Sequence, residues 1–180
     1  MKKVLLSMSF VVLLLVVGFL SFLLLTEPRA KVFEKRGVTV TLESDFKVYE
    51  SENWNFYVEN DEIAFMSNRF GKLSEFTYGE GEDQKKVSLK DFSLDTFMNL
   101  VLTLYGIDTP ENPVTKYTID AYDNYFYYCY YFDGNEKYAY MFLTAETDNF
   151  FYVVNIACDA DAFNDSRVKM LQYAVSIEFE

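Results

Sequence analysis

Polar and apolar residues alternate over much of the chain, which is the period-2 pattern typical of β-strands. Residues 37–42 predict one strand, and residues 53–70 predict a hairpin with its turn at Asn60 and Asp61. A β-meander is predicted further along, with strands over about residues 115–122, 125–132, 137–145 and 150–158. These segments together predict a largely antiparallel sheet.

Two other segments have the apolar spacing of three to four residues that is typical of helices. The first begins after Ser93, a favourable N-cap, and ends at Gly106, which readily takes the left-handed conformation that terminates helices. The second runs from about Ala162 to Val175. The predicted fold class is therefore α+β: an antiparallel β-sheet, made of the meander and the N-terminal strands, packed with two helices.

The run from Val4 to Leu25 contains no charged residue, and as a helix it is long enough to cross a bilayer. Lys2 and Lys3 precede it, and no small-residue cleavage pattern follows it. We therefore predict that residues 1–25 form a signal anchor, one transmembrane helix; a cleaved signal peptide is the alternative. The export layout places the following domain outside the cytoplasm, although the basic residues after the run favour the opposite orientation.

Charge is distributed unevenly along the chain. Residues 1–36 hold six Lys/Arg and two Asp/Glu, whereas residues 37–180 hold ten and twenty-six, a net charge of −16. An extracytoplasmic α+β domain this acidic repels phosphate backbones, so no nucleic-acid partner is expected. The basic residues within 26–36 predict a solvated linker or, alternatively, contact with anionic lipid headgroups.

The sequence lacks the residues that several kinds of catalytic and metal site require. The chain has no histidine, which removes Ser-His-Asp and Cys-His catalysis and all histidine metal sites. Cys129 and Cys158 are too few for a structural zinc site. In a meander they lie two strands apart, about 9–10 Å, which is too far for a disulfide. No catalytic residue, cofactor or metal is predicted.

Three carboxylates, Asp159, Asp161 and Asp165, lie where the last strand meets the last helix. The simplest interpretation is helix capping and a favourable interaction with the helix dipole. Acid–base catalysis and a calcium site are the alternatives. The calcium interpretation is weakened because Phe163 and Asn164 interrupt the EF-hand pattern.

Tyrosines are concentrated on the two central strands of the meander. With a two-residue turn at Gly134 and Asn135, Tyr128 would pair with Met141 and one face would be mostly aromatic. Tyrosine has an apolar ring and a polar hydroxyl, so this face could be covered by the fold, face water or bind a partner. We call it the tyrosine face and treat it as the candidate binding surface: Tyr125, Tyr127, Tyr131, Tyr138, Tyr140 and Phe142.

The closing segment FFYVVNIACDADAFNDSRVKMLQYAVSIEF, residues 150–179, reads as a strand, a short acidic loop and a helix that ends in Ser176-Ile177-x-Phe179. Together with the strand at Gly37 and the early hairpin, it resembles the PsbP-like and DcrB-like α/β sandwiches. The resemblance implies a small exported or tethered domain with an accessory or binding role. The resemblance implies no catalytic residue for this chain.

The expected function is a non-enzymatic, membrane-anchored binding or accessory module with a protein partner at the membrane surface. A small-ligand binder for lipid or glycan is the alternative, and a carboxylate-dependent hydrolase is the weakest one. An exposed tyrosine face would favour the first, a deep apolar cavity the second, and a cleft with two facing carboxylates the third.

Overall fold

The computed structural model of the protein describes residues 29–78, 84–107, 110–119 and 124–180. Residues 31–180 form one compact unit. In these described ranges, no helix has both the length and the apolar character needed to cross a bilayer. The anchor predicted over residues 1–25 lies outside them.

Strands account for more of the described chain than helices do. The helices are α1 (Leu94–Leu104) and α2 (Phe163–Val175), the latter preceded by a 3-10 turn (Ala160–Ala162). The strands are β1 (Ala30–Lys35), β2 (Val38–Glu43), β3 (Lys47–Val48), β4 (Phe56–Glu59), β5 (Ile63–Gly71), β6 (Glu75–Tyr78), β7 (Lys85–Ser88), β8 (Thr115–Thr118), β9 (Tyr125–Phe132), β10 (Tyr138–Glu146), β11 (Phe150–Asp159) and β12 (Glu178–Phe179).

A seven-stranded sheet of order β3-β4-β5-β11-β10-β9-β8 forms the centre of the fold. The pairs within it are antiparallel, and β8 to β11 are neighbours in chain order. A three-stranded sheet, β1-β2-β12, and the hairpin β6-β7 complete the strands. The α+β class, the antiparallel sheet with two helices and the meander are thereby confirmed.

Each face of the central sheet is covered by a different layer. Residues of α1 pack on one face, where Phe97, Met98 and Val101 join Phe142 and Phe151 in a buried cluster. On the other face, α2 and the three-stranded sheet pack together over a larger core. The members of this second core include Phe33, Val40, Leu42, Phe126, Met141, Leu143, Val154, Ile156, Met170 and Ala174.

Helix α1 forms as its sequence predicts. The Ser93 hydroxyl accepts a hydrogen bond from the backbone N–H of Thr96 at 3.2 Å, and Gly106 ends the helix with a φ of 66°. Leu94 and Val101 are among its buried residues. The apolar stripe therefore faces the sheet.

The predicted linker over residues 26–36 is wrong from Ala30 onward, because residues 30–35 form β1. Phe33 is the one buried residue of that strand, so its charged neighbours conceal the strand pattern. Arg36 and Gly37 both have positive φ, 56° and 75°, as the two central residues of a type I′ hairpin turn require.

The predicted register of β9 and β10 is wrong by two residues. Tyr128 pairs with Leu143, not with Met141, because the connecting turn is longer than Gly134 and Asn135. Oδ1 of Asp133 accepts hydrogen bonds from two backbone N–H groups beyond the turn, those of Lys137 at 2.7 Å and Tyr138 at 2.9 Å. A shift of two residues preserves the side-chain alternation, so the predicted division between the two faces is unchanged.

Candidate functional site

The tyrosine face is the face that α1 covers. Phe142 is completely buried and contacts the Tyr105 ring at 5.4 Å, so including it in a binding surface was wrong. Tyr138 is 37% exposed. The other four members, Tyr125, Tyr127, Tyr131 and Tyr140, are partly buried. The sequence thus grouped these residues on one face but could not give their exposure.

Helix α1 covers this face unevenly. Near its N-terminal end, Phe97 stacks on Phe151 with centroids 4.5 Å apart, and further along Met98 Sδ accepts a 3.3 Å hydrogen bond from the hydroxyl of Thr144. The helix itself ends at Leu104, and Tyr131 and Tyr140 form a cross-strand pair on the same sheet face. These two rings stack with centroids 4.8 Å apart and planes 11° from parallel.

A cavity of about 280 Å³ opens where the helix ends. We call it the tyrosine pocket. One wall is the end of α1, with Tyr105 and the two residues after it, and the other is formed by β9, β10 and their turn. It is lined by Tyr105, Gly106, Ile107, Tyr131, Asp133 and Tyr140, with Phe132 and Gly134 completing the wall.

The tyrosines of the pocket are neutral at physiological pH. Burial raises the pKa of Tyr131 above its ordinary value, and the neighbouring Tyr140, Tyr105, Cys129 and Asp133 raise it further. Burial likewise raises the pKa of Tyr105 and of Tyr140. The rings therefore offer uncharged π faces and hydroxyl groups to a ligand, and they are poorly suited to act as phenolate nucleophiles.

The described lining of the pocket carries a negative charge. Asp133 is the charged residue among the eight that line it. The C-terminal end of a helix carries partial negative charge, and the last turn of α1 contains no basic residue. The two hydrogen bonds that the Asp133 carboxylate accepts in its turn hold it in place.

Sequence reasoning did not find Tyr105 or Asp133 as site residues. Tyr105 follows the last turn of α1 and is 40% exposed, with Trp54 6.5 Å away. Asp133 opens a turn, which is where aspartate is expected for structural reasons alone. No local pattern marks either residue as part of a pocket.

The acidic group at the start of α2 acts only partly as predicted. Asp159 precedes the 3-10 turn but makes no side-chain capping hydrogen bond, and the N-cap of α2 itself is Ala162. Asp161 and Asp165 lie in first turns, where the dipole interaction remains. The capping interpretation is therefore wrong. In the described part of the chain, no group of three or more carboxylates and thiols is placed to hold a metal ion.

Two carboxylates do face each other elsewhere, but a lysine joins them. Nζ of Lys169 lies 3.0 Å from Glu43 and 3.1 Å from Glu62. A lysine shared by both carboxylates neutralises much of their charge. This arrangement suits a link between α2, β2 and the β4–β5 turn better than acid–base catalysis.

The strand order confirms the prediction for the cysteines. β10 separates β9 from β11, and both thiols are free and buried. Cys129 belongs to the core under α1, and Cys158 belongs to the core under α2. Burial raises the pKa of Cys129 to about 11, so this thiol is a poor nucleophile in the folded protein.

A second, open groove of about 1170 Å³ lies at the other end of the sheet. Its lining is rich in polar residues, among them Thr41, Glu146 and Asn149, and it includes Lys72 paired with Glu146 at 2.7 Å. It lacks the predominantly apolar wall typical of a lipid site. It also borders residues 120–123, which lie outside the described ranges.

No protein-family model matches the chain, and no curated protein is significantly similar to it. Among solved structures, it is similar to cyanobacterial PsbP (CyanoP) from Synechocystis sp. PCC 6803, with a TM-score of 0.57 and 8% sequence identity. The match covers 84% of this chain and 92% of that one. The fold is PsbP-like. At this identity the likeness shows the fold alone, so no functional residue is transferred.

Proposed function

We propose that this protein is a non-enzymatic binding or accessory module, held at the membrane by residues 1–25 with its domain outside the cytoplasm. Its partner is a protein at the membrane surface. The binding site is the tyrosine pocket together with the exposed ring of Tyr138. The membrane anchor rests on the uncharged run from Val4 to Leu25.

The observation that carries the proposal is the open end of the tyrosine face. Aromatic side chains are enriched in protein interfaces because rigid rings with polar tips lose little entropy on binding. Tyr105 and Tyr138 are 40% and 37% exposed, and the pocket lies beside the partly buried Tyr131 and Tyr140. A concave, aromatic and preorganised site of this kind suits the anchoring side chain of a protein partner.

The alternative of a lipid or glycan ligand has less support. The space between α1 and the sheet is filled by the buried cluster around Phe97, Met98 and Phe142. A pocket of about 280 Å³ is smaller than most sites for drug-sized ligands, which span roughly 300–1,000 Å³.

Photo-crosslinking in intact cells tests the binding surface. A benzophenone amino acid at Tyr138 should form a discrete adduct with a partner protein on irradiation. The same group at Val168, which is 61% exposed on α2, is the matched control because α2 covers the opposite face. Absence of an adduct at Tyr138, or the same adduct at both positions, would contradict the proposal.

Membrane retention is tested separately. The full-length mass should be recovered in the membrane fraction, and it should resist extraction with carbonate but not with detergent. A soluble product that begins near residues 27–31 would instead show that the N-terminal run is a cleaved signal peptide.

A further inference from the structure

The tyrosine pocket combines a negative wall with aromatic rings, and this combination selects for a particular ligand chemistry. Among the described residues that line it, Asp133 is the charged one, and the end of α1 adds partial negative charge that no basic residue of the last turn offsets. The net charge of residues 37–180 is −16, which attracts cations over a longer range. A cationic group is therefore the complementary ligand.

The same sheet face already holds cations against tyrosine rings. Nζ of Lys116 lies 3.6 Å from the ring centroid of Tyr125, and Nζ of Lys137 lies 5.0 Å from that of Tyr138. Cation–π contacts of this kind form within about 6 Å of a ring centroid. The pocket between these two positions has the rings and a carboxylate, but its lining contains no Lys or Arg.

The shape of the pocket narrows the choice among cations. The rings of Tyr131 and Tyr140 stack on each other nearly in parallel, so each keeps one outer face, and both residues line the pocket. A planar guanidinium group can stack on such a surface while it donates hydrogen bonds to a carboxylate, which the ammonium group of lysine does less well. A volume of about 280 Å³ accommodates one long side chain rather than a folded segment.

We propose that the tyrosine pocket binds an arginine side chain of the protein partner, with its guanidinium group against the tyrosine rings and paired with Asp133. This proposal rests on the proposed function and names the group by which the partner is recognised.

The test measures binding of a fluorescein-labelled peptide of alternating glycine and arginine to the full-length chain in non-ionic detergent. Salt is held at about 0.15 M, so that long-range attraction is screened. Peptides with lysine, trimethyllysine or citrulline in place of arginine provide the comparison. The arginine peptide should bind with saturation, the lysine peptide more weakly, and the citrulline peptide about tenfold more weakly.

Two pairs of variants distinguish binding in the pocket from general electrostatic attraction to the acidic domain. Asp133→Asn removes the charge but keeps an oxygen that can accept the turn hydrogen bonds, and it should weaken arginine binding about fivefold. Asp148→Asn makes the same charge change at the exposed β10–β11 turn and should have little effect. Tyr105→Ala should weaken binding, whereas Tyr49→Ala, at an equally exposed ring, should not; both are 40% exposed.

Equal effects of Asp133→Asn and Asp148→Asn, or equal binding of the citrulline peptide, would overturn the proposal. Tighter binding of the trimethyllysine peptide would overturn it in favour of a quaternary ammonium ligand. If the Tyr138 photoadduct forms but the arginine peptide does not bind, the arginine inference fails while the proposed function stands. If the adduct also fails to form, both the arginine inference and the proposed function are contradicted.

Discussion

The two faces of β9 and β10 are both rich in aromatic residues, and the tyrosine pocket lies on the face under α1. On the face under α2, Tyr130 contacts Phe163 at 5.3 Å and its hydroxyl lies 3.3 Å from the Arg167 carbonyl oxygen. On the face under α1, Tyr131 and Tyr140 line the tyrosine pocket together with Tyr105, which follows the last residue of the helix. Because the strands are aromatic on both faces, their composition alone does not account for this pocket.

The two faces also differ in how their helices are fastened. Lys169 links α2 to carboxylates on two other elements, at 3.0 and 3.1 Å. Helix α1 is held by an apolar cluster around Phe97 and Val101. The packing of α1 therefore relies on this apolar cluster, while α2 adds ion pairs to its apolar contacts.

The largest expected effect comes from a charge placed under α1. Val101 is 3% exposed, so Val101→Asp should destabilise the domain by about 4 kcal/mol or more by burying an unpaired carboxylate. Asn99→Asp introduces the same residue at an exposed position of the helix and is the matched control. Both are measured by chemical denaturation. An unchanged unfolding midpoint for Val101→Asp would mean that α1 does not pack on the sheet as described.

A second pair of substitutions compares a buried residue of the tyrosine face with an exposed one. Phe142→Ala should cost about 3–5 kcal/mol because the ring is completely buried. Tyr138→Ala, on the same strand and face, should cost about 1 kcal/mol or less because that ring is 37% exposed. Similar losses for the two variants would show that the face is covered along its whole length.

The ion pairs on the opposite face give a smaller effect. Lys169→Met leaves two carboxylates without their shared cation and should cost about 1–2 kcal/mol, since the side chains of Lys169 and Glu43 are only 27% and 22% exposed. Lys86→Met is the control, because Lys86 and Glu75 form a 3.8 Å ion pair whose side chains are 74% and 70% exposed. That variant should change stability by less than about 0.5 kcal/mol. Equal losses would indicate that Lys169 acts only as a surface charge.

The smallest effect is a pH dependence that originates at the tyrosine pocket. Burial, followed by nearby charges led by Tyr140, raises the pKa of Tyr131 above its ordinary value of 10.0. In the unfolded chain this hydroxyl ionises near the ordinary value. Its contribution to stability is therefore complete below about pH 10 and is lost as the pH rises above that value.

Denaturation midpoints measured between about pH 9 and 12 should fall less steeply for Tyr131→Phe than for the unmodified chain. Part of the fall persists in this variant, because burial also raises the pKa of Tyr57 and of Tyr173, each to about 12. A slope for Tyr131→Phe equal to that of the unmodified chain would contradict the burial of Tyr131.

Element type and face assignment could be predicted from the chain because both follow from local geometry. Successive side chains of a strand point to opposite faces, so the grouping of Tyr131 with Tyr140 survived an error of two residues in register. The N-cap at Ser93 and the terminator at Gly106 depend on backbone groups within a few residues, and both were found. The order of the meander strands, β8 to β11, likewise followed from the short connections between them.

Strand β1 was not predicted, because its local sequence lacks the strand pattern. It is an edge strand with one buried side chain, Phe33, so its sequence resembles a charged linker. Its identity depends on pairing with β2 through the turn at Arg36 and Gly37, and on the core that this pairing covers.

The sequence by itself determined the strands of the meander, both helices, their apolar faces and the clustering of tyrosines on one side of β9 and β10. Tertiary structure alone decided that α1 covers Phe142, and that Tyr131, Tyr140 and Asp133 line one pocket with the end of that helix. Periodicity within a segment is set by backbone sterics between near neighbours. The position of a helix over a sheet is set by packing between residues that are far apart in the chain, such as Phe97 on Phe151, and no local pattern records it.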